Sequence, residues 1–369
     1  MNVSMFGHKR IPSRDGGIEV VVGELSTRMA ALGHRVICYN RSVGRASGVK
    51  PEASTMPPNV ISKTVWTVDK KGLAAVTSSF FAAICASFDG TQVVHIHAEG
   101  PAFMCWLPKL FGKRVIVTIH GLDWQRAKWK NGLGAKYIRT GERMAVRFAD
   151  EIIVLSRNIQ DYFAVTYGRN TVWIPNGVVK PEYVPVGEIY NRYGLKKDEY
   201  ILFLGRLVPE KGIHYLIEAF SKVTTDKKLV IAGGTSDTDA YVSYLENIAG
   251  GNEQIRFIGF VQGRVLEELY SNAYIYVLPS DVEGMPMSLL EAMSYGNCCL
   301  VSDIPEIAEV VEDRAEVFTR GNVEALTSAL QKLCDNPSTV ETYRRLSQSF
   351  ICEKYNWNDV TKRTLELYQ

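Results

Sequence analysis

The sequence is 369 residues long, 46% hydrophobic and 22% charged, with 42 Lys and Arg against 40 Asp and Glu for a formal net charge of +2. That length exceeds one ordinary core of roughly 100 to 200 residues, so two domains are expected. The balance excludes a disordered chain, and it lacks the basic excess that nucleic-acid binders carry. The seven cysteines (Cys38, Cys85, Cys105, Cys298, Cys299, Cys334, Cys352) are scattered and never spaced C-x-x-C, which reads as a reduced, cytoplasmic chain. The opening MNVSMFGHKR has no apolar signal core.

In chain order, short apolar runs alternate with helical patterns. Strands are predicted at VSMF (3–6), RVICYN (35–40), VVHIHA (93–98), RVIVTIH (114–120), EIIVLS (151–156) and TVWIPN (171–176). Between the first two lies residues 19–32, where Val21, Val22, Leu25, Met29 and Leu32 recur at helical spacing. The longest apolar stretch, 73–88, is interrupted by Thr77, Ser78, Ser79 and Ser87 and falls short of the roughly 20 residues a bilayer needs, so a buried helix is expected there. A second series of strands follows at 200–205, 228–234, 255–260, 273–280 and 297–303, each before a helical segment. Between the series, KPEYVPVGEIYNRYG (180–194) holds two prolines and little periodicity and reads as a linker. The expected class is α/β, with two doubly wound parallel sheets: residues 1–180 in one domain and 181–354 in the other. Such sheets bind ligands at the carboxyl ends of their strands, and the unusual residues fall there.

After the first strand, Gly16 and Gly17 precede a helix, where free N–H groups can approach an anion; a glycine pair is equally a plain turn. Neither G-x-G-x-x-G nor G-x-x-x-x-G-K-[ST] occurs. After the strand at 200–205, GRLVPEKG sets Arg206 and Lys211 on one short loop, a planar fork and a point charge that suit a diphosphate, or else a solvated loop. After 273–280, Glu283 lies in a loop and Glu291 about a turn into the next helix. A loop carboxylate can accept hydrogen bonds from sugar hydroxyls, and the helix start near Met287 can hold phosphate or sugar oxygens, although Glu291 also reads as an ordinary surface residue. His120 ends an apolar strand, where histidine is often structural. His95 and His97 share a strand face, but no carboxylate cluster completes a metal site.

In order along the chain, DGGIE, IPNGV, LGRLVPEKG, IAGG and SDVEGMPMSLLEAMSYG, with Glu283-x7-Glu291 in the last, resemble family 4 of the retaining glycosyltransferases. That resemblance implies the GT-B fold: two facing Rossmann-like domains with an interdomain cleft. It further implies a nucleotide diphosphate sugar donor held mainly by the second domain, an acceptor on the first, and no metal or other cofactor. By resemblance, Arg206 and Lys211 neutralise the donor diphosphate and Gly16 and Gly17 close over it. Glu291 holds the ribose. Glu283 lies near the transferred sugar, with Gly284, Met285, Pro286, Met287 and Ser288 beside it, and His120 faces that sugar. Asn176 and Gly177 close the first domain, the base lies near residues 260–263, and a final helix (355–369) crosses back to the first domain. Arg206, Lys211, Glu283 and His120 form the implied catalytic set, with front-face displacement as the implied mechanism. The loop HKRIPSRDGG, with Lys9, Arg10 and Arg14, resembles those of transferases that build bacterial capsular or exopolysaccharide units.

Residues 124–147 carry Arg126, Lys128, Lys130, Lys136, Arg139, Arg143 and Arg147 against Glu142 alone, with Trp124, Trp129 and Tyr137 interleaved. A solvated helix face is the plain reading; an anionic membrane surface is the other, and no recognition motif points to nucleic acid. Residues 1–180 hold 24 Lys and Arg against 12 Asp and Glu, so the near-neutral total conceals a strongly basic first half. The expectation is a hexosyltransferase acting on a saccharide or lipid-linked saccharide, at the inner face of the cell membrane. A GT-B nucleotide-sugar epimerase and a non-catalytic nucleotide-sugar-binding subunit are the alternatives.

Overall fold

The first series of apolar runs forms a seven-stranded, wholly parallel sheet: β1 (Asn2–Phe6), β2 (Arg35–Arg41), β3 (Val60–Val65), β4 (Val93–His97), β5 (Arg114–Ile119), β6 (Glu151–Val154) and β7 (Val172–Trp173). Its order is β3-β2-β1-β4-β5-β6-β7. The second series forms a six-stranded parallel sheet from β8 (Tyr200–Leu204), β9 (Lys228–Ala232), β10 (Ile255–Gly259), β11 (Ile275–Leu278), β12 (Cys299–Ser302) and β13 (Glu316–Phe318), in the order β10-β9-β8-β11-β12-β13. The computed structural model describes residues 1–42, 56–70, 72–126, 129, 132–235 and 238–369. They divide into one unit of Met1–Asn176 with Trp357–Gln369 and another of Gly177–Asn356.

Both sheets are of the doubly wound α/β class. Parallel strands covered on both faces are buried on both, as β4, β5 and β8 are almost throughout, and β8 accordingly reads as an unbroken hydrophobic run. Two strands escape that signal because they are sheet edges. β3 exposes Ser62, Lys63 and Thr64 beside β2, and β13 has only three residues. The run at 171–176 contributes only the two residues of β7.

In the first unit the chain steps one way from β1 to β2 and the other way from β3 through β7. Right-handed crossovers therefore set its helices on opposite faces. Helices Leu73–Phe88, Trp106–Leu110, Leu133–Phe148 and Arg157–Tyr167 share one face, over a core that includes Ala82, Ala86, Ile96, Val117, Ala145 and Phe163. Helix Gly17–Ala31 and helix Trp357–Glu366 pack together on the other. The Trp357–Glu366 helix is tied down where Arg114 Nε donates to Leu367 O at 2.7 Å, Arg363 donates to Trp173 O, and Tyr368 Oη lies 2.7 Å from His95 Nδ1. Trp357, Val360, Thr361, Thr364 and Tyr368 are buried.

The helix at 73–88 departs from the expected buried helix. Its small residues Ser78, Ser79, Ala82, Ala83, Ala86 and Ser87 face the sheet, while Leu73, Phe80 and Phe88 are exposed. The small side chains let the helix lie close to the sheet, which turns the large ones outward. Among the described residues no helix is long and apolar enough to cross a membrane.

The segment read as a linker is packed structure of the second unit. It contains helix Glu188–Tyr193, with Ile189 and Leu195 fully buried. The buried Glu268 carboxylate on helix Gly263–Asn272 accepts from Gly187 N at 2.9 Å and Ile189 N at 3.0 Å, and from Arg264 Nε at 3.2 Å. Burial alone pushes this carboxyl up; the backbone N–H donors and Arg264 outweigh burial and hold it below the usual glutamate range. The stability it contributes is therefore present above the unfolded glutamate pKa and lost as pH falls through its own. Glu268→Ala is expected to lose about 2 kcal/mol at pH 7. The loss should shrink below about pH 4, as denaturant melts at both pH values would read.

Candidate active site

In the second unit the first strand, β8, lies beside the fourth, β11, with connections leaving in opposite directions, and the unusual residues cluster beyond these two strand ends. Gly212 joins the two loops. Its φ is +66°, and a Cβ there would stand 2.1 Å from Pro279 O, so only glycine brings the 205–212 loop this close to the end of β11. The approach delivers Lys211, 9% exposed, to Glu283, with Nζ 2.5 Å from Oε1. Ser280 Oγ donates to the same oxygen at 2.6 Å. Two residues 72 apart in sequence, assigned separately to diphosphate and sugar, thus form one ion pair. Removing either partner would strand the other charge in a poorly solvated place. Arg206 is half-buried on the same loop, which is fixed where Leu207 N donates to Gly234 O at 3.0 Å.

Gly284, Met285 and Pro286 are buried and lead into helix Met287–Ser294, whose N-terminus no side chain caps. Its first N–H groups and its dipole suit an anion. Glu291 is half-buried, and Tyr270 Oη lies 3.2 Å from its Oε2 and 3.3 Å from Ser288 O; Tyr276 Oη lies 2.9 Å from Ser288 Oγ. Tyr270 and Tyr276 are fully buried struts under the helix, and nothing in the sequence singled them out. In the 260–263 segment Phe260 stands near Gly234.

The first unit repeats this geometry. Gly7, at φ +113°, ends β1 against β4, where a Cβ would stand 2.0 Å from His97 O. The loop that follows is pinned by Asn40, whose Oδ1 accepts from Ile11 N at 3.1 Å and whose Nδ2 donates to Ile11 O at 3.1 Å. Helix Gly17–Ala31 starts at Gly16 without a side-chain cap. Glu19 is buried in its first turn and accepts from Lys9 N at 2.8 Å, and a Cβ on Gly16 would meet its Oε2 at 2.6 Å.

His120 lies just beyond β5, half-buried, with Nε2 3.1 Å from His97 Nδ1. His97 stacks on His95 at 4.2 Å between centroids, and His95 lies 2.7 Å from both Tyr368 Oη and Thr118 Oγ1. The pair first seen as metal-like is thus the buried base of His120. Burial pushes His95 and His120 down to about 3 and His97 well below the usual histidine range, so all three are neutral at physiological pH. Among the described residues no group of three or more His, Cys, Asp or Glu is placed to hold a metal ion.

Two buried carboxyls to which sequence reasoning gave no role meet here, and one of them holds the loop that carries His120. Glu99 Oε2 accepts from Asp123 N at 2.7 Å, and Glu142 Oε1 accepts from Tyr162 Oη at 2.8 Å. Both residues are 0% exposed, the remaining oxygen of each has no hydrogen-bond donor, and Glu142 acts on Glu99. Burial, then Asp123 and Glu142, push Glu99 well above the usual range, which favours its protonated form beside Glu142. With Glu142 buried inward, Lys136, Arg139, Arg143 and Arg147 form an exposed basic stripe along helix Leu133–Phe148, and Arg139 lies 4.1 Å over the Trp124 ring. Lys128 and Lys130 lie outside the described residues.

The family model described as Glycosyltransferase Family 4 matches residues 15–179, and that described as Glycosyl transferases group 1 matches residues 188–350. An uncharacterized glycosyltransferase of Methanocaldococcus jannaschii is 32% identical over 185 residues, a match spanning 48% of this chain and 46% of that protein. Alpha-maltose-1-phosphate synthase of Mycolicibacterium smegmatis is 26% identical over 312 residues, covering 76% of this chain and 79% of the relative. The Anabaena protein HepE, crystallised with UDP and glucose, superposes with a TM-score of 0.82 at 15% identity, covering 99% of this chain and 98% of its own, a likeness of fold.

The carboxyl pair has a measurable consequence. A carboxyl whose pKa is raised by folding contributes stability that is full below the unfolded value and lost as pH rises through the folded one. Glu99→Gln keeps the acceptor for Asp123 N and the donor for Glu142 without an ionisable proton. Denaturant melts at pH 5.5 and 8 should show wild type losing stability across the interval and the variant losing less.

Proposed function

The chain is a family 4 glycosyltransferase of the GT-B fold, and from that premise we propose that it moves a hexose from a nucleotide diphosphate sugar to a hydroxyl acceptor with retention of configuration. The acceptor in this reading is a saccharide or lipid-linked saccharide of cell-surface polysaccharide synthesis, met at the inner face of the cell membrane. The observation that carries the donor half is the Lys211–Glu283 contact next to the uncapped start of helix Met287–Ser294. Cations, a carboxylate and helix N–H groups converging at the ends of β8 and β11 suit a diphosphate joined to a polyhydroxylated ring.

Arg206 and Lys211 stabilise the charge that grows on the leaving diphosphate, and the amides around Met287 and Ser288 add their dipole. Glu291 takes the ribose hydroxyls and Glu283 the transferred sugar. From the first unit, His120 is assigned to that sugar and Gly16 and Gly17 to the diphosphate. The acceptor oxygen bonds to the anomeric carbon as the bond from that carbon to phosphate oxygen breaks, and the acceptor proton passes to the departing phosphate on the same face. The transition state is oxocarbenium-like, so neutralising the leaving group lowers the barrier directly.

Two surface features of the first unit support a membrane-bound acceptor. One is the basic stripe of helix Leu133–Phe148. The other lies on the same sheet face: the uncharged helix Leu73–Phe88 exposes Leu73, Phe80 and Phe88, and Phe88 packs at 4.5 Å against the exposed Phe111 beside Leu110, itself 73% exposed. Cations attract an anionic surface, at about 1 kcal/mol each, and exposed aromatics enter the interfacial layer.

A thermal-shift panel of UDP, GDP and dTDP sugars should show stabilisation by one base, because a ligand stabilises the fold it binds. Product analysis should then show release of nucleoside diphosphate with a new glycoside. An epimerised sugar, or binding without turnover, would replace the transferase reading by an epimerase or a binding subunit. Arg206→Ala and Lys211→Ala should each lower turnover about a hundredfold, and a change within about threefold would overturn the electrostatic assignment. For the membrane, sedimentation with anionic vesicles should be strong at low salt and weakened by Arg139→Glu with Arg143→Glu. Phe80→Ser with Phe88→Ser should abolish the part that survives high salt. No sedimentation in either condition would sink the membrane contact.

A further inference from the structure

His97 and His120 face each other nitrogen to nitrogen, with Nδ1 of the first 3.1 Å from Nε2 of the second. Two neutral imidazoles in that arrangement share one proton between those atoms, and its position decides what each ring offers on its far side. If His120 Nε2 carries it, His97 must carry its own on Nε2. That atom is fully buried and has no partner, so the cost is an orphaned N–H in the core. The neighbouring His8 cannot relieve it. Its Nε2 lies 3.0 Å from Asn40 Oδ1, which is held as an acceptor by Ile11 N, and its own Nδ1 stands without a partner. If instead His97 Nδ1 carries the shared proton, Nε2 is left as an unused lone pair. Buried donors without acceptors are rarer in folded proteins than under-used acceptors. We propose that His97 is a positioning residue that fixes His120 in the tautomer with its proton on Nδ1, so that His120 presents an N–H donor to its ligand.

The rest of the stack holds His97 in place for this task. His95, bound at both nitrogens by Tyr368 and Thr118, stacks on its ring, and the close approach at Gly7 fixes its backbone. The charged or titratable groups acting on the pair are His8, His95 and Arg126, and each disfavours a positive charge on it. His120 is half-buried, and its recorded hydrogen bond is made by Nε2, not Nδ1. Resting on the assignment of His120 to the donor sugar, the inference makes it a donor to a hydroxyl or phosphoryl oxygen and removes it as a proton acceptor at that atom.

The test is the ring-nitrogen NMR spectrum of protein labelled at its histidines, with His120→Asn used to assign the His120 signals. Wild type should show His120 protonated on Nδ1. His97→Asn keeps a donor where Nδ1 stood and should preserve that state; the near-isosteric His97→Leu removes it and should move His120 toward the Nε2–H form. In a transfer assay, His97→Leu should lower kcat about tenfold, the worth of one ordinary hydrogen bond, while His97→Asn stays near wild type. Wild-type His120 protonated on Nε2, or an Nδ1–H form that persists in His97→Leu, would overturn the proposal, the first even if the variants failed to fold. The spectrum needs no donor. An Nδ1–H signature in a protein that transfers nothing would count against the transferase reading and leave the tautomer assignment standing.

Discussion

Each unit depends on one steric constraint: the chain leaving its first strand must touch the backbone at the end of the fourth. Gly7 meets His97 in the first sheet, and Gly212 meets Pro279 in the second. Strand order makes these places equivalent, since both sheets reverse direction between their first and fourth strands. At such a switch point the two connections diverge to opposite faces and leave a crevice at the strand ends. A side chain at either glycine would push the loops apart. In the second unit that would separate Lys211 from Glu283, and in the first it would disturb the backbone under the histidine stack.

The sequence disclosed the parts whose signal is local. Buried parallel strands read as apolar runs, and the loops after them read as glycines with charges, which is where Gly16, Gly17, Arg206, Lys211, Glu283, Glu291 and His120 stand in the chain. What stayed hidden depends on distance. No periodicity links Lys211 to Glu283, Tyr270 to Glu291 or Glu99 to Glu142, because each pair meets only after a crossover has brought two strands together. Edge strands stayed hidden for another reason: β3 and β13 are open on one side and need not be apolar. The linker reading failed because irregular sequence was taken for unpacked chain, whereas Glu268 supplies from another helix the contacts that periodicity would have announced.

The polar interior of the first unit is built from groups kept neutral. Three histidines are too buried to charge, and one carboxyl of a pair keeps its proton. Each is neutral by desolvation first and neighbours second, and each lies at or beneath the loop that carries His120. An arrangement of neutral donors and acceptors keeps its geometry across the physiological pH range.

The segment Trp357–Gln369 completes a unit begun more than 300 residues earlier, covering the sheet face beneath His95 and bonding to β4, β5 and β7 through Tyr368, Arg114 and Arg363. Domains generally fold as the ribosome delivers them, N-terminal first. Here the first unit cannot close until the whole of the second has been synthesised, and until then one face of its sheet lacks part of its cover. The order of completion is thus the reverse of the order of synthesis, and this unit is the one exposed to misassembly while the chain is being made.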